Sequence, residues 1–105
     1  MFNEGEKRMK TISTSVYLDE CTLEMFEYYL EHTGIKMAEV IKSSIILYFS
    51  GGCSNDCIAK KKVKKNVRMY KETHDYVREA AEKTGKSMGD ILNQALNDYL
   101  LVKTN

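Results

Sequence analysis

A run of basic side chains near the middle of the chain offers the clearest chemistry in this sequence. Seven lysine and arginine residues, and no acidic residue, lie between positions 60 and 71. The rest of the chain offsets this charge, because the net charge at pH 7 is only +1. Such a block is typical of contact with nucleic acid or another polyanion, and a solvated linker end is the alternative. The block overlaps the start of a predicted strand, which favours nucleic-acid contact.

The sequence has none of the patterns that predict catalysis. It contains no glycine-rich phosphate loop, and no nucleophile, histidine and acid in a recognisable context. We therefore expect no enzyme activity and no small-molecule substrate.

The cysteine and histidine positions do not predict a metal site. Cys53 and Cys57 lack the C-x-x-C spacing of zinc and redox sites. His32 and His74 each lie alone on a predicted helix, so we expect no metal and no cofactor. A disulfide between Cys53 and Cys57 and a pair of free thiols are both compatible with this spacing.

Length and composition limit the architecture to one ordinary domain or two very small units. The 105 residues are 43% hydrophobic and 30% charged, which is enough apolar material for a packed core. No stretch approaches the roughly 18 apolar residues of a membrane span, and the N-terminus lacks the apolar segment of a secretory signal. We expect a cytoplasmic protein without membrane contact.

The chain contains an internal repeat with an offset of 51 residues. Two Thr-Gly pairs, at 33–34 and 84–85, are separated by this offset. The same offset aligns apolar positions with apolar positions along both halves of the chain. The aligned pairs include Val16 with Val67, Leu18 with Met69, Met37 with Met88, Val40 with Ile91, Ile41 with Leu92, Ile45 with Leu96, and Tyr48 with Tyr99.

Each copy of the repeat predicts a strand followed by two helices. Alternation of β-branched and polar residues predicts the strands, and apolar residues at helical spacing predict the helices. The strands are expected at 12–18 and 63–69, and the helices at about 20–32, 37–49, 71–83 and 88–101. Each Thr-Gly pair should end the first helix of its copy, with glycine in the left-handed conformation.

The helix starts differ between the copies. Asp19 is a suitable N-cap for the first helix, whereas Tyr70 at the matching place is not. Lys36 gives the next helix no capping side chain, while Ser87 with Asp90 resembles a capping box. In the last helix, the polar residues expected opposite the apolar stripe are Asn93, Gln94, Asn97 and Asp98.

The predicted fold is mainly α with a short two-stranded antiparallel β-ribbon. One strand–helix–helix unit cannot bury its own apolar face, and its single strand lacks a partner. Two units on one chain solve both problems as an intramolecular pseudo-dimer, with paired strands and a shared four-helix core. The expected organisation is an N-terminal arm (1–9), a first unit (10–49), a Gly/Ser/Cys linker (50–60), a second unit (61–101) and a C-terminal end (102–105).

These residues resemble the ribbon-helix-helix family of transcription factors. In the first copy the resemblance rests on Ser15-Val-Tyr-Leu-Asp-Glu, Leu23, Phe26, Leu30, Thr33-Gly34, Glu39-Val-Ile and Tyr48-Phe49. In the second it rests on Asn66-Val-Arg-Met, Thr84-Gly85, Ser87, Asp90-Ile-Leu and Tyr99-Leu100. The tandem, single-chain arrangement is similar to that of regulators encoded by archaeal viruses.

The resemblance implies a ribbon that enters the major groove of double-stranded DNA and reads bases with its outward side chains. Those side chains are Ser13, Ser15 and Tyr17 on the first strand, and Lys64, Asn66 and Arg68 on the second. Arginine or lysine suits guanine, and asparagine suits adenine. Phosphate contacts are expected from Lys10 and Lys62 near the strands, and from Lys36, Lys86 and Ser87 at the starts of the second helices.

Differences between the copies predict an asymmetric DNA site. The first strand is rich in small hydroxyl groups and the second is basic, so the second should contribute most of the affinity. The uncapped helix start at Lys36 should hold phosphate more weakly than the start at Ser87.

The second helix of the first copy is apolar nearly all round. Ile46 and Leu47 stand where the second copy has Asn97 and Asp98, and Tyr28 likewise matches a glutamate. A central place in the four-helix core and a self-association surface formed by Tyr28, Ile46 and Leu47 both explain this pattern.

The sequence thus predicts a DNA-binding transcriptional regulator, a repressor or an activator, that forms oligomers on DNA. An interaction module, or a DNA-coating protein with little sequence preference, is the alternative.

Overall fold

The computed structural model of the chain describes residues 10–52 and 61–104. Its elements are β1 (Thr11–Asp19), α1 (Glu20–Thr33), α2 (Met37–Leu47), a π-helical turn (Tyr48–Gly52), β2 (Lys62–Tyr70), α3 (Lys71–Thr84) and α4 (Met88–Thr104). Across this described part, the predicted mainly helical class with a two-stranded antiparallel sheet is confirmed. The N-terminal arm at 1–9 and the linker cysteines Cys53 and Cys57 lie outside the described residues.

The two strands form an antiparallel ribbon of nine paired positions. The register runs from Thr11 opposite Tyr70 to Asp19 opposite Lys62, with Ser15 opposite Asn66 at its centre. Because side chains alternate along a strand, every second residue faces the helices and the others face away from them.

Both first helices end as the Thr-Gly pairs predict. Gly34 and Gly85 adopt left-handed backbone conformations with φ of 71° and 78°. Their N–H groups donate to Leu30 O and Ala81 O, which closes the last turn of α1 and α3. A non-glycine residue at either position would carry the strain of a positive φ.

The predicted helix starts are confirmed. The Asp19 carboxylate accepts from the Cys21 N–H at 3.2 Å and so caps α1, whereas Tyr70 and Lys36 make no capping hydrogen bond with their side chains. Ser87 Oγ accepts from the Asp90 N–H at 3.0 Å, which is one half of the predicted capping box.

The ends of the second helices differ from the predicted positions. The α-helical part of α2 stops at Leu47, and a π-helical turn follows in which Gly51 has a φ of 86°. In contrast, α4 continues to Thr104, since no glycine or proline occurs after Gly89 to end it.

One hydrophobic core draws on both strands and all four described helices. Its fully or nearly fully buried members include Val16, Leu18, Phe26, Ile41, Val67, Met69, Val77, Leu92 and Leu96. Each large aliphatic or aromatic side chain buried in this way stabilises the fold by about 1.5–3 kcal/mol.

The expectation that Asn93 and Gln94 lie opposite the apolar stripe of α4 is wrong. Both are buried, with only 4% and 9% of their surface exposed. Asn93 Oδ1 accepts from the Asp19 N–H at 2.9 Å, at a position where that N–H points away from β2. The burial therefore has a physical reason, because a ribbon of two strands has two open edges whose polar groups need partners.

The second helices cover the two edges of the ribbon. A Cβ on Gly89 would come within 2.7 Å of the Tyr17 carbonyl oxygen, so the first turn of α4 lies directly on β1. On the other edge, the Arg68 N–H donates to Met37 Sδ at 3.3 Å, in the first turn of α2. Both helix N-termini are thereby placed beside the ribbon.

No helix in residues 10–52 and 61–104 has the length and apolar character needed to cross a membrane.

Candidate nucleic-acid interface

The outer face of the ribbon brings together the six side chains expected to read bases. Ser13 lies opposite Arg68, Ser15 opposite Asn66, and Tyr17 opposite Lys64. All six are exposed, and Tyr17 has 56% of its surface accessible. We call these six residues the reading face.

The lysines of the basic run differ in whether a carboxylate lies next to them. Lys61, Lys62, Lys65 and Lys71 have acidic partners within 4 Å, at Glu20, Asp90, Glu27 and Asp75 respectively. Among the described residues, no such partner lies near Lys64 or Arg68. Within residues 10–52 and 61–104, no neighbouring carboxylate therefore neutralises the positive charge of the reading face.

The Lys71 pair also affects the titration of its partner. Hydrogen bonds from Lys71 and then from His74 lower the pKa of the Asp75 carboxyl group below its ordinary value. Asp75 therefore carries its negative charge throughout the neutral range, and part of the positive charge of Lys71 is offset.

The centre of the reading face has an internal hydrogen bond. Ser15 Oγ donates to Asn66 Oδ1, across the central pair of the ribbon. Towards one end, Arg68 Nη1 lies 3.5 Å from Thr11 Oγ1, a long contact on the same face. Thr11 was not among the predicted site residues, although its odd-numbered place on β1 puts it on the same side as Ser13.

Two expected phosphate-binding lysines lie near the ends of the strands. Lys10 is exposed directly before β1, and its carbonyl oxygen accepts from the Lys71 N–H at 2.8 Å, which extends the ladder by one pair. Lys62 Nζ lies 3.3 Å from Asp90 Oδ1, with about half of each side chain exposed. An exposed pair of this kind is worth at most about 1 kcal/mol, so phosphate could displace the carboxylate.

The other three expected phosphate contacts lie at the two helix N-termini beside the ribbon. Lys36 at the start of α2 is exposed, as are Lys86 and Ser87 at the start of α4. The free N–H groups of such a first turn favour anions, because they carry the positive end of the helix dipole.

Carboxylates in the first turns make the two N-termini electrostatically different. Asp90 on α4 is paired with the cation of Lys62. Glu39 on α2 instead accepts a hydrogen bond from the Tyr70 hydroxyl, a neutral donor. Among the described residues no cation pairs with Glu39, so its charge opposes a phosphate at α2, and this adds to the absence of a capping side chain at Lys36.

The Tyr70 hydroxyl is affected by the same contact. The hydrogen bond to Glu39, followed by burial and by the charge of Glu39, raises the pKa of Tyr70 above its ordinary value of 10. Tyr70 was missed as a site residue, although it follows Arg68 by two positions and lies opposite Thr11.

The residues expected to form a self-association surface lie on two different helices, α1 and α2. Ile46, 59% exposed, lines an apolar groove of about 460 Å³ between α2 and α3, together with Phe49 and Tyr76. Tyr28 lies on α1, where its ring stacks on His32, and it does not line this groove. Leu47 is half-buried.

Metal-binding side chains are not gathered in the part of the chain that the structure describes. There, no three histidine, cysteine, aspartate or glutamate side chains lie close enough together to hold an ion. Cys21 is an exposed free thiol on α1.

Comparisons with protein-family models, with curated proteins and with solved structures gave no match to this chain.

Proposed function

We propose that this chain is a DNA-binding transcriptional regulator that inserts its β-ribbon into the major groove. The observation that carries the proposal is the reading face, where Lys64 and Arg68 are exposed and have no acidic partner among the described residues. A two-stranded ribbon has the width of the major groove, where each base pair presents a distinct pattern of donors and acceptors.

The proposal includes a ribbon-helix-helix pseudo-dimer made from a single chain. Ser15 and Asn66 are related by the sequence repeat, and they are also direct partners at the centre of the ribbon. A local two-fold axis through this pair would exchange the two units. The edge contacts support the same relation, since each second helix covers the strand of the other unit.

Base reading is expected to be uneven across the site. Arg68 and Lys64 suit the O6 and N7 acceptors of guanine, whereas Ser13 opposite Arg68 adds only a hydroxyl group. Phosphate binding is expected to follow the same asymmetry, because the α4 start has Lys86 and an Asp90 paired with Lys62, while the α2 start has a half-buried Glu39 whose hydrogen-bond donor is the neutral Tyr70 hydroxyl. We infer a DNA site with two unequal halves.

Fluorescence anisotropy with a duplex pool tests the proposal through two charge-matched variants. Lys64→Ala/Arg68→Ala removes two cations from the reading face. Lys61→Ala/Lys65→Ala removes two cations from the same run that are paired with helix carboxylates. We expect affinity to fall at least roughly tenfold in the first variant, and much less in the second.

The same affinities, measured at a series of salt concentrations, show whether binding depends on contacts with phosphate. Wild-type affinity should fall steeply with salt, as phosphate contacts require. Equal losses in both variants would contradict a specific reading face. Absence of binding at low salt would exclude DNA and leave a protein-interaction module.

DNA coating with little sequence preference is the second candidate. It is favoured by the small hydroxyl groups of Ser13 and Ser15, which specify little by themselves. Equal competition by selected and by random duplexes would support it over regulation at a defined site.

We also propose that the protein self-associates on DNA. Support comes from the apolar groove at Ile46, Phe49 and Tyr76, since three large exposed apolar side chains rarely gather on a surface without a partner.

A further inference from the structure

The centre of the ribbon is occupied by two unlike side chains that bind each other. Ser15 and Asn66 face each other directly, and the serine hydroxyl donates to the amide oxygen of Asn66. Backbone hydrogen bonds just beyond the two ends of the ribbon show which facing pairs are hydrogen-bonded. They join Glu20 N–H to Lys61 O and Lys71 N–H to Lys10 O, and from these pairs hydrogen-bonded and non-hydrogen-bonded pairs alternate along the ribbon. By that alternation Ser15–Asn66 is a pair without backbone bonds, where facing side chains come closest.

In this contact the amide oxygen of Asn66 is turned towards Ser15. An amide has an oxygen that accepts and an NH₂ group that donates. With the oxygen turned to Ser15, the NH₂ group is the part of the side chain left to face a ligand. A free asparagine pairs with adenine through both groups, because it accepts from N6 and donates to N7.

We propose that Ser15 is a positioning residue that makes Asn66 present donors only, so that the central base read by the ribbon is guanine and not adenine. Guanine offers two adjacent acceptors, O6 and N7, whereas adenine places a donor beside its acceptor. This inference rests on the proposed DNA-binding function and replaces the adenine preference expected for an isolated asparagine.

The single-chain arrangement explains why such a contact exists here. At a two-fold axis between identical chains, the two central residues must be the same. Here the repeat supplies serine from one strand and asparagine from the other, so one residue orients and the other reads.

The test measures base preference at one position. A duplex site would first be selected from a random pool by the wild-type protein. It would then be synthesised in four versions that differ only in the base pair at the centre of the site, and the affinity for each version would be measured by fluorescence anisotropy. For wild type we expect guanine to be favoured over adenine by about tenfold, the value of one good base contact. Asn66→Ala should abolish this preference.

Ser15→Ala should reduce or reverse the preference, because the amide oxygen is then free to accept from adenine. Ser15→Thr keeps the hydroxyl group and should keep the preference for guanine. Ser13→Ala is the matched control, since it removes a hydroxyl group from the same face opposite Arg68 and should leave the central position unchanged.

A second measurement does not depend on DNA. In proton–nitrogen correlation spectra of the free protein, the side-chain NH₂ resonances of Asn66 should move in Ser15→Ala and stay close to wild type in Ser15→Thr. Equal spectra for all three proteins would overturn the inference.

The outcomes separate this inference from the function on which it rests. Wild-type preference for adenine, or an unchanged preference in Ser15→Ala, overturns the role of Ser15 while DNA binding stands. Failure of every protein to bind DNA at low salt overturns both.

Discussion

At the scale of single residues, two adjacent lysines differ because they lie on opposite faces of the ribbon. Lys64 and Lys65 are neighbours in sequence, yet Lys65 reaches Glu27 at 3.1 Å and Lys64 faces away from the helices. The alternation of the strand separates them, so adjacent lysines acquire different surroundings. Composition alone counts them as equal.

Tyr70 gives a prediction at this scale. Its hydroxyl donates to Glu39, and Tyr70→Phe removes the donor while keeping the ring. We expect the variant to lose about 1–2 kcal/mol in the free energy of unfolding at neutral pH. Urea denaturation followed by circular dichroism measures the loss, and Tyr17→Phe on the exposed face should show none.

The raised pKa of Tyr70 adds a dependence on pH. The unfolded chain loses the phenolic proton near pH 10, whereas the folded protein holds it to higher pH. The contribution of this group to stability is therefore complete below pH 10 and is lost as pH rises from there through the folded-state pKa. The difference in unfolding free energy between wild type and Tyr70→Phe should shrink over that range. A constant difference would contradict the assignment.

At the scale of elements, the two copies differ in a residue of the first turn of the helix that covers a ribbon edge. Gly89 and Ala38 occupy the same place in the repeat, in the first turns of α4 and α2. Ala38 is buried with its methyl group accommodated, while Gly89 leaves no room for one beside Tyr17. The glycine at position 89 therefore lets α4 approach the backbone of β1 closely.

We predict that Gly89→Ala destabilises the fold, although alanine is the better helix former by about 1 kcal/mol. The added Cβ would meet backbone atoms of Tyr17, which cannot move as a flexible side chain does. A loss of about 1–3 kcal/mol is expected in chemical denaturation. Asn97→Ala, elsewhere on α4, is the control and should change stability by less than about 0.5 kcal/mol. Equal stability of Gly89→Ala and wild type would mean that α4 approaches β1 less closely.

At the scale of the whole molecule, the two copies of the repeat contribute to one hydrophobic core but carry different side chains on their surfaces. The polar residues Asn93 and Gln94 of the second copy are buried, whereas the apolar Ile46 of the first copy is 59% exposed. One side of the molecule thus carries an apolar groove. We expect a molecule whose two sides differ in this way to associate with a defined direction.

Self-association is the prediction that belongs to this scale. Ile46→Asp places a charge in the groove and should weaken association roughly tenfold or more, since an unpaired charge is costly to bury. Sedimentation velocity with and without duplex DNA measures the effect. Tyr28→Asp changes an equally exposed side chain outside the groove and should have a smaller effect.

Comparing Ile46→Asp with Tyr28→Asp shows whether the groove or the exposed side of α1 forms the contact between molecules. A larger effect of Tyr28→Asp would move the contact to α1. A wild-type protein that stays a single chain at every concentration, with and without DNA, would contradict self-association itself.

The sequence by itself determined the order of the elements, the ends of α1 and α3, and the cap at the start of α1. Residues such as Gly34, Gly85 and Asp19 act through their own backbone or nearest neighbours, so their effects can be read from the chain. The period-two pattern likewise predicted which side of each strand carries Ser13 and Arg68, because alternation is a local property of a strand.

Only the tertiary structure decided which polar groups have partners and which apolar groups do not. Asn93 is buried because the edge of β1 needs an acceptor, and that edge belongs to a segment 74 residues away. The Ser15–Asn66 contact, the pairing of Lys65 but not Lys64, and the exposure of Ile46 all depend on register and on the approach of distant helices. Such contacts join residues far apart in the chain, so no local pattern specifies them.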